Sequence, residues 1–132
     1  MSCVRREAAL WLRQAESDLR KAENDLKTSD WDSAAFWSQQ AAEKALKALL
    51  LEYGKTCRIH DLPGIAEMIE EELGVSTSDI AGDLRELTIH YTIARYPNAA
   101  NALPSELYDE SKARELVEKA RRVLGWVRRN LR

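Results

Sequence analysis

The chain has 132 residues, of which 45% are hydrophobic and 32% charged, with a formal net charge of −2 and only 5 Gly and 3 Pro. That length fits one domain spanning 1–132, and the composition excludes a disordered chain and a loop-rich β architecture. The near-balance of charge excludes a global basic field that would gather nucleic acid, so any such binding needs a local patch.

Two cysteines, Cys3 and Cys57, are too few for a disulfide framework, and no Cys/His spacing resembles a zinc site, so both read as free thiols and no metal or cofactor is expected. The N-terminal stretch acquires charge at once and no run of about 20 apolar residues occurs, which predicts a cytoplasmic protein without membrane contact.

Residues 5–28 place Ala8, Leu12, Ala15, Leu19, Ala22 and Leu26 on one stripe of a long amphipathic helix. Ser29 and Asp32 have the spacing of a capping box that opens a second helix, which runs from Trp31 to a stop at Gly54. The two predict an antiparallel hairpin. After a connector, "GKTCRIHD", Asp61 caps a shorter helix carrying Leu62, Ile65, Ala66, Ile69 and Leu73 and ending at Gly74. Ser76 and Asp79 repeat the capping-box pattern before a stripe of Ile80, Leu84, Leu87, Tyr91 and Ala94, a helix that Pro97 should end. "NAANALPSE" reads as a loop, and a last helix, roughly 106–131, should bury Ala113, Leu116, Val117, Ala120, Val123, Leu124, Val127 and Leu131. With no strand-like alternation, the expected fold is all-α: an up-and-down bundle of four long helices with one short extra helix.

"GKT" at 54–56 is no phosphate loop, because Leu49 stands where that motif needs Gly and a helix, not a strand, precedes it. On the second helix Phe36 falls in line with Gln40, Glu43 and Lys47, opposite the Ala/Leu face. A lone Phe among polar residues marks a partner interface or ligand cleft, which would include Gln40 and Glu43, or else lies under long side chains. His60 reads as a capping partner of the short helix rather than a metal ligand. The arginines 121, 122, 128, 129 and 132 either complement the dipole of the last helix or form an RNA-binding patch. Trp11, Trp31 and Trp37 read as core or interface residues.

The segments "AAFWSQQAAEKALKALL" at 34–50, "RIHDL" at 58–62 and "LTIHYTIARYPN" at 87–98 together resemble the HEPN family, the higher eukaryote and prokaryote nucleotide-binding domain, over nearly the whole chain. The resemblance implies an all-α homodimer, often encoded beside a minimal nucleotidyltransferase. In some branches the family is a metal-independent RNase toxin whose motif is Arg, four to six residues, then His. "RELTIH" meets that spacing with Arg85 and His90, the imidazole as acid or base and the guanidinium on phosphate, with Glu86 able to orient the ring. Glu86 and Thr92, however, stand where RNase-active relatives often carry an amide and a Tyr.

The leading reading is a nucleotide-binding, partner-binding subunit of a minimal nucleotidyltransferase module of toxin–antitoxin type. In it Lys47, Arg95, Tyr96 and Asn98 line the site, the cations on phosphate and Tyr96 against a base. The ligand would be a nucleotide or RNA, not DNA. An endoribonuclease toxin using Arg85 and His90, and a non-catalytic dimerisation module, are the alternatives. Tyr91 reads as a core or interface aromatic, while Arg95 and Tyr96 either satisfy the helix-end carbonyls or carry function where the helix opens into a loop.

Overall fold

The computed structural model describes residues 3–132, with side chains from residue 5 onward. The thiol expected of Cys3 lies outside the described side chains, while Cys57 is a partly buried free thiol. The expected all-α bundle is what the chain forms, and no strand occurs among the described residues. No helix among them is long and apolar enough to cross a membrane.

Helix α1, Cys3–Lys27, and helix α2, Trp31–Glu52, pack along their lengths as the expected hairpin. Ala8, Ala15, Leu19 and Ala22 of the α1 stripe are buried against the small residues of α2, which let the helices approach closely. The capping box expected from Ser29 and Asp32 does not form. Ser29 takes a left-handed conformation, φ 61°, and this turn passes the cap position to Asp30. The turn is closed by the Asp30 N–H donating to the Asp25 carbonyl at 2.9 Å. Gly54, φ 75°, ends α2 as expected, in a region where a side chain would be strained.

Helix α3, Leu62–Leu73, begins and ends as the sequence predicts. The Asp61 carboxylate accepts from the Gly64 N–H at 2.9 Å, and Gly74, φ 67°, closes the C-terminus. The next pass departs from the single helix expected over it. A 3-10 turn at Ser78–Ile80 leads into α4, Ala81–Thr88, and a second 3-10 turn, Ile89–Tyr91, gives way to hydrogen-bonded turns up to Arg95. Two physical causes coincide. The β-branched residues Thr88, Ile89, Thr92 and Ile93 propagate a helix poorly, and Pro97 drives Tyr96 into an extended conformation, φ −116° and ψ 116°. The Ser76–Asp79 capping box is likewise replaced: the Glu70 carboxylate accepts from the Thr77 N–H at 2.9 Å and from its hydroxyl at 3.0 Å.

The expected loop contains two one-turn helices, α5 at Pro97–Ala100 and α6 at Pro104–Leu107, each with proline in its first turn. Helix α7, Glu110–Asn130, is capped by Asp109 and buries the predicted row from Ala113 to Val127, with Leu131 partly buried beyond its end. α7 lies against α1, α2 and α4, and α3 bridges α2 and α4. Most arginines at the C-terminal end of α7 make interhelical ties. Arg121 reaches Glu23 at 2.7 Å, Arg122 holds Asp83 through two nitrogens at 3.1 and 2.7 Å, and Arg128 reaches Glu16 at 3.2 Å. Arg132 donates to the Glu52 carbonyl at 2.9 Å and lies over the Tyr53 ring.

Candidate functional site

Helix α2 is almost wholly apolar where it crosses the core, yet Gln39, Glu43 and Lys47 recur every four residues along one line of it and are all buried. Such a row needs partners, since a carboxylate or ammonium removed from water without one is costly. The Gln39 amide donates to one Glu43 oxygen at 3.1 Å, and the Lys47 ammonium donates to the other at 3.0 Å. A third donor, His60 Nδ1, comes from outside the helix and lies 3.0 Å from the oxygen that takes Lys47. The connector 54–61 is thus folded back over the polar row, and the Gln39 amide also donates to the His60 carbonyl at 3.4 Å. His60 is therefore not the capping partner expected from the sequence; Asp61 caps α3 alone, and His60 is tied to α2.

The end of α4 is drawn to the same place. The Leu62 N–H donates to the Thr88 hydroxyl at 3.0 Å, which in turn donates to the Asp61 carboxylate at 3.3 Å. This bridge sets Tyr91 beside the connector, and its ring stacks on His60 with centroids 4.3 Å apart and planes 13° from parallel. Arg95, one turn further, donates from Nε to the Tyr91 carbonyl at 3.2 Å. Its guanidinium carbon lies 4.6, 4.9 and 4.8 Å from the ring centroids of Phe36, Tyr91 and Tyr96. A guanidinium over aromatic faces is attracted by their quadrupoles, and the N–H groups beyond the Nε–H given to Tyr91 still point where an anion can meet them.

The sequence-predicted residues fall in three groups. Arg95, Tyr96 and Phe36 come together, with Tyr96 45% exposed. Asn98 is exposed in α5, just beyond them. Lys47 faces inward, joined to the group through Glu43 and His60. Within the chain, Phe36 packs edge-on against Trp37, at 5.0 Å and 72°, and under Arg95, while Glu43 is engaged inside. The Gln40 side-chain amide donates to the Gln39 side-chain amide oxygen at 2.8 Å and accepts from Lys44 at 3.3 Å. Lys44 also pairs with the fully buried Asp18 of α1.

Arg85 and His90 face different surroundings. Arg85 is exposed on α4, lining an open groove with Pro63, Glu67 and Glu70 of α3. His90 is buried, its Nδ1 2.5 Å from the Tyr108 hydroxyl, and its Nε2 has no hydrogen-bond partner. Burial, and secondarily the charge of Lys112, lowers its pKa to about 4, against the opposing influence of the Glu86 backbone and the charges of Glu115 and Glu86. Burial likewise pushes Tyr108 up to about 12. The Glu86 side chain goes to Lys119 at 3.1 Å, the contact that holds its pKa below the usual range, rather than orienting the His90 ring.

His60, Gln39 and Tyr91 were not singled out as site residues by the sequence. The available signal was the polar row itself: charged and amide side chains one turn apart inside a helix of Ala and Leu demand a partner from elsewhere.

A family model for the HEPN domain matches residues 8–130. The Methanocaldococcus jannaschii protein named "Putative toxin MJ1304" is 29% identical over 126 residues, covering 89% of this chain and 83% of that protein. The crystal structure of TT1696 from Thermus thermophilus aligns with a TM-score of 0.86 at 34% identity, covering 94% of this chain and 98% of that one. ST0689, described as an archaeal HEPN homologue, aligns with a TM-score of 0.76 at 33% identity, covering 92% of this chain and 94% of its own.

Proposed function

The chain belongs to the HEPN family, and on that premise we propose that it is the HEPN subunit of a toxin–antitoxin-type module, binding a nucleotide, free or within a single strand, on the His60–Tyr91–Arg95–Tyr96 face. In this reading the 132 residues act as one domain in a homodimer, and a minimal nucleotidyltransferase is the partner. The relative named as a toxin supports the module. The observation that carries the binding reading is Arg95, an exposed guanidinium held over three aromatic rings. Phosphate takes the free N–H edge of Arg95, a base stacks on Tyr96, and Asn98 offers an amide beside them. Lys47 lies behind Glu43 and offsets its charge, so that the face is not dominated by a carboxylate.

Fluorescence anisotropy with a labelled oligonucleotide, competed by unlabelled mononucleotide, tests this directly. Arg95→Ala and Tyr96→Ala should each weaken binding about tenfold or more, since stacking contributes ~1–3 kcal/mol per base. Glu71→Ala, an exposed change on α3, should leave it unaltered. Wild-type affinity in both site variants would sink the reading. The partner is tested by co-purification of tagged protein with a nucleotidyltransferase encoded beside it.

A second reading, RNA cleavage by Arg85 and His90, draws on one observation: the buried Nε2 of His90 has no partner, a condition that functional sites tolerate more often than structural ones. Cleavage would require this nitrogen to be uncovered and an arginine brought to it, from this subunit or a second copy. Metal-free incubation with RNA, alongside Arg85→Ala and His90→Ala, decides it: products with 2′,3′-cyclic phosphate ends, absent in both variants, support cleavage.

A further inference from the structure

We propose that residues 92–107 form a strap fastened at its neck by the side chains of His90 and Tyr108, and that protonation of His90 releases the strap and with it the ligand face. The inference rests on the nucleotide-binding reading above and names how that face is regulated.

The chain turns outward after the buried His90 and comes back to the bundle at the buried Tyr108, just before α7. The two residues are 18 apart in sequence, yet His90 Nδ1 lies 2.5 Å from the Tyr108 hydroxyl. Their rings meet edge to face, with centroids 5.3 Å apart. The segment between them is therefore closed at its base by this one side-chain pair. Arg95, Tyr96 and Asn98, the residues assigned above to phosphate, base and amide contact, all lie on it.

Little else holds the segment. Among the described residues its backbone hydrogen bonds run only within residues 89–107, with none to a long helix of the bundle. Every residue from Arg95 to Leu103 except Ala100 is exposed. Ile93, Ala94 and Pro104 pack inward, and Arg95 lies over Phe36. A segment with so few buried contacts opens locally at lower cost than the long helices, so the pair at its neck carries a large share of the fastening.

A neutral imidazole fits this neck whichever nitrogen carries its proton, because a phenol hydroxyl both donates and accepts. An imidazolium does not fit. It has an N–H on each nitrogen, and Nε2 is buried without a hydrogen-bond partner. The charged groups facing the ring are Lys112 and Glu115 of α7 and Glu86 of α4, while Asp32 of α2 faces Tyr108. Lys112 repels a second positive charge, and both glutamates are already engaged by Lys119, at 3.1 and 3.4 Å. Burial, and after it Lys112, lowers the pKa of the fastened His90 to about 4 against the Glu86 backbone and the two glutamates. With the strap lifted, water reaches both nitrogens and the ring titrates near its ordinary ~6.5. The open strap thus binds a proton that the fastened one rejects, so fastening is fully supported above pH ~6.5 and is lost progressively as pH falls towards 4.

The test is amide hydrogen exchange of the full chain without ligand, corrected for intrinsic rates, at Ile93 and Tyr96, whose N–H groups are bonded on either side of buried Ala94. In wild type the opening constant should rise about tenfold or more between pH ~7.5 and pH ~5. Low urea should leave it unchanged, which marks local opening rather than global unfolding. His90→Phe keeps a buried ring without a titrating group and should abolish the rise, with His90→Gln in its place where circular dichroism shows the first to be unfolded. Tyr108→Phe removes the hydroxyl alone and should raise the opening constant severalfold already at pH ~7.5. Anisotropy of a fluorescein-labelled hexauridylate, whose bases do not titrate in this range, then reads the face: wild-type affinity should fall at pH ~5 with the fastened fraction, and the His90 variant should not share that fall. An opening constant equal at the two pH values overturns the inference, as does a rise that survives the His90 substitution. Opening that responds to pH while affinity does not also overturns it. Failure of the wild type to bind at either pH overturns the nucleotide-binding reading, whereas the exchange result, obtained without ligand, still decides whether His90 fastens the strap.

Discussion

His60 lies flat on Tyr91, ring centroids 4.3 Å apart and planes 13° from parallel, although the two residues arrive from different connections of the bundle. An offset aromatic stack of this kind contributes about 1 kcal/mol beyond its buried area. Here it also joins the residue bound to Glu43 to the residue under Arg95. Tyr91→Leu keeps apolar bulk but removes the ring, so stability should fall by about 1 kcal/mol in urea titration while oligonucleotide binding falls about tenfold. Equal binding by the variant would show that the stack serves only the fold.

Glu43 and Lys47 form a buried ion pair at 3.0 Å in the middle of α2. Removing one partner leaves the other charge uncompensated, a loss of ~3–5 kcal/mol in buried pairs. Glu43→Ala should therefore destabilise strongly, whereas Glu43→Ala combined with Lys47→Met should recover most of the loss. The double-mutant cycle measures the coupling, and additive losses would refute the pairing.

His90 makes stability depend on pH. Its folded-state pKa is lowered to about 4, while the unfolded value is near 6.5. Between these values the unfolded chain binds a proton that the folded chain does not, so the contribution is intact above pH ~6.5 and is lost as pH falls towards 4. At pH 5 the wild type should have lost about 2 kcal/mol from this residue relative to pH ~7.5. His90→Phe should remove that part of the slope, read from urea midpoints at the two pH values. An unchanged slope would contradict the burial of a neutral imidazole.

Asp83 takes two nitrogens of Arg122, at 3.1 and 2.7 Å, and joins α4 to α7. The arginine side is half exposed and its attraction is screened by solvent. Asp83→Asn should accordingly cost only about 1 kcal/mol, but it should raise amide hydrogen exchange in α4, a helix of 8 residues, more than in α7. Uniform exchange across both helices would show that this pair does not fasten α4.

The sequence alone determined the elements whose cause is local. Ala8 to Ala22 and Ala113 to Val127 repeat at the helical period, so their stripes could be read and are buried. Asp61, Gly54 and Gly74 end or open helices through their own side chain or backbone freedom, and the structure keeps each. The HEPN resemblance carried by "AAFWSQQAAEKALKALL", "RIHDL" and "LTIHYTIARYPN" was legible for the same reason, being a property of order along the chain. Arg95, Tyr96 and Phe36 were legible as unusual residues, though not as one cluster. The remaining features depend on distant segments meeting. The apolar stripe from Ile80 to Ala94 looked like one helix, yet competition between β-branched residues, Pro97 and packing breaks it after Thr88. Capping boxes at Ser29 and Ser76 were matched by spacing but lost to a left-handed turn and to Glu70. The pairing of Glu43 with His60, 17 residues on, and the stacking of His60 on Tyr91 arise because a buried carboxylate must find donors wherever the fold brings them, and no local pattern encodes which donor arrives.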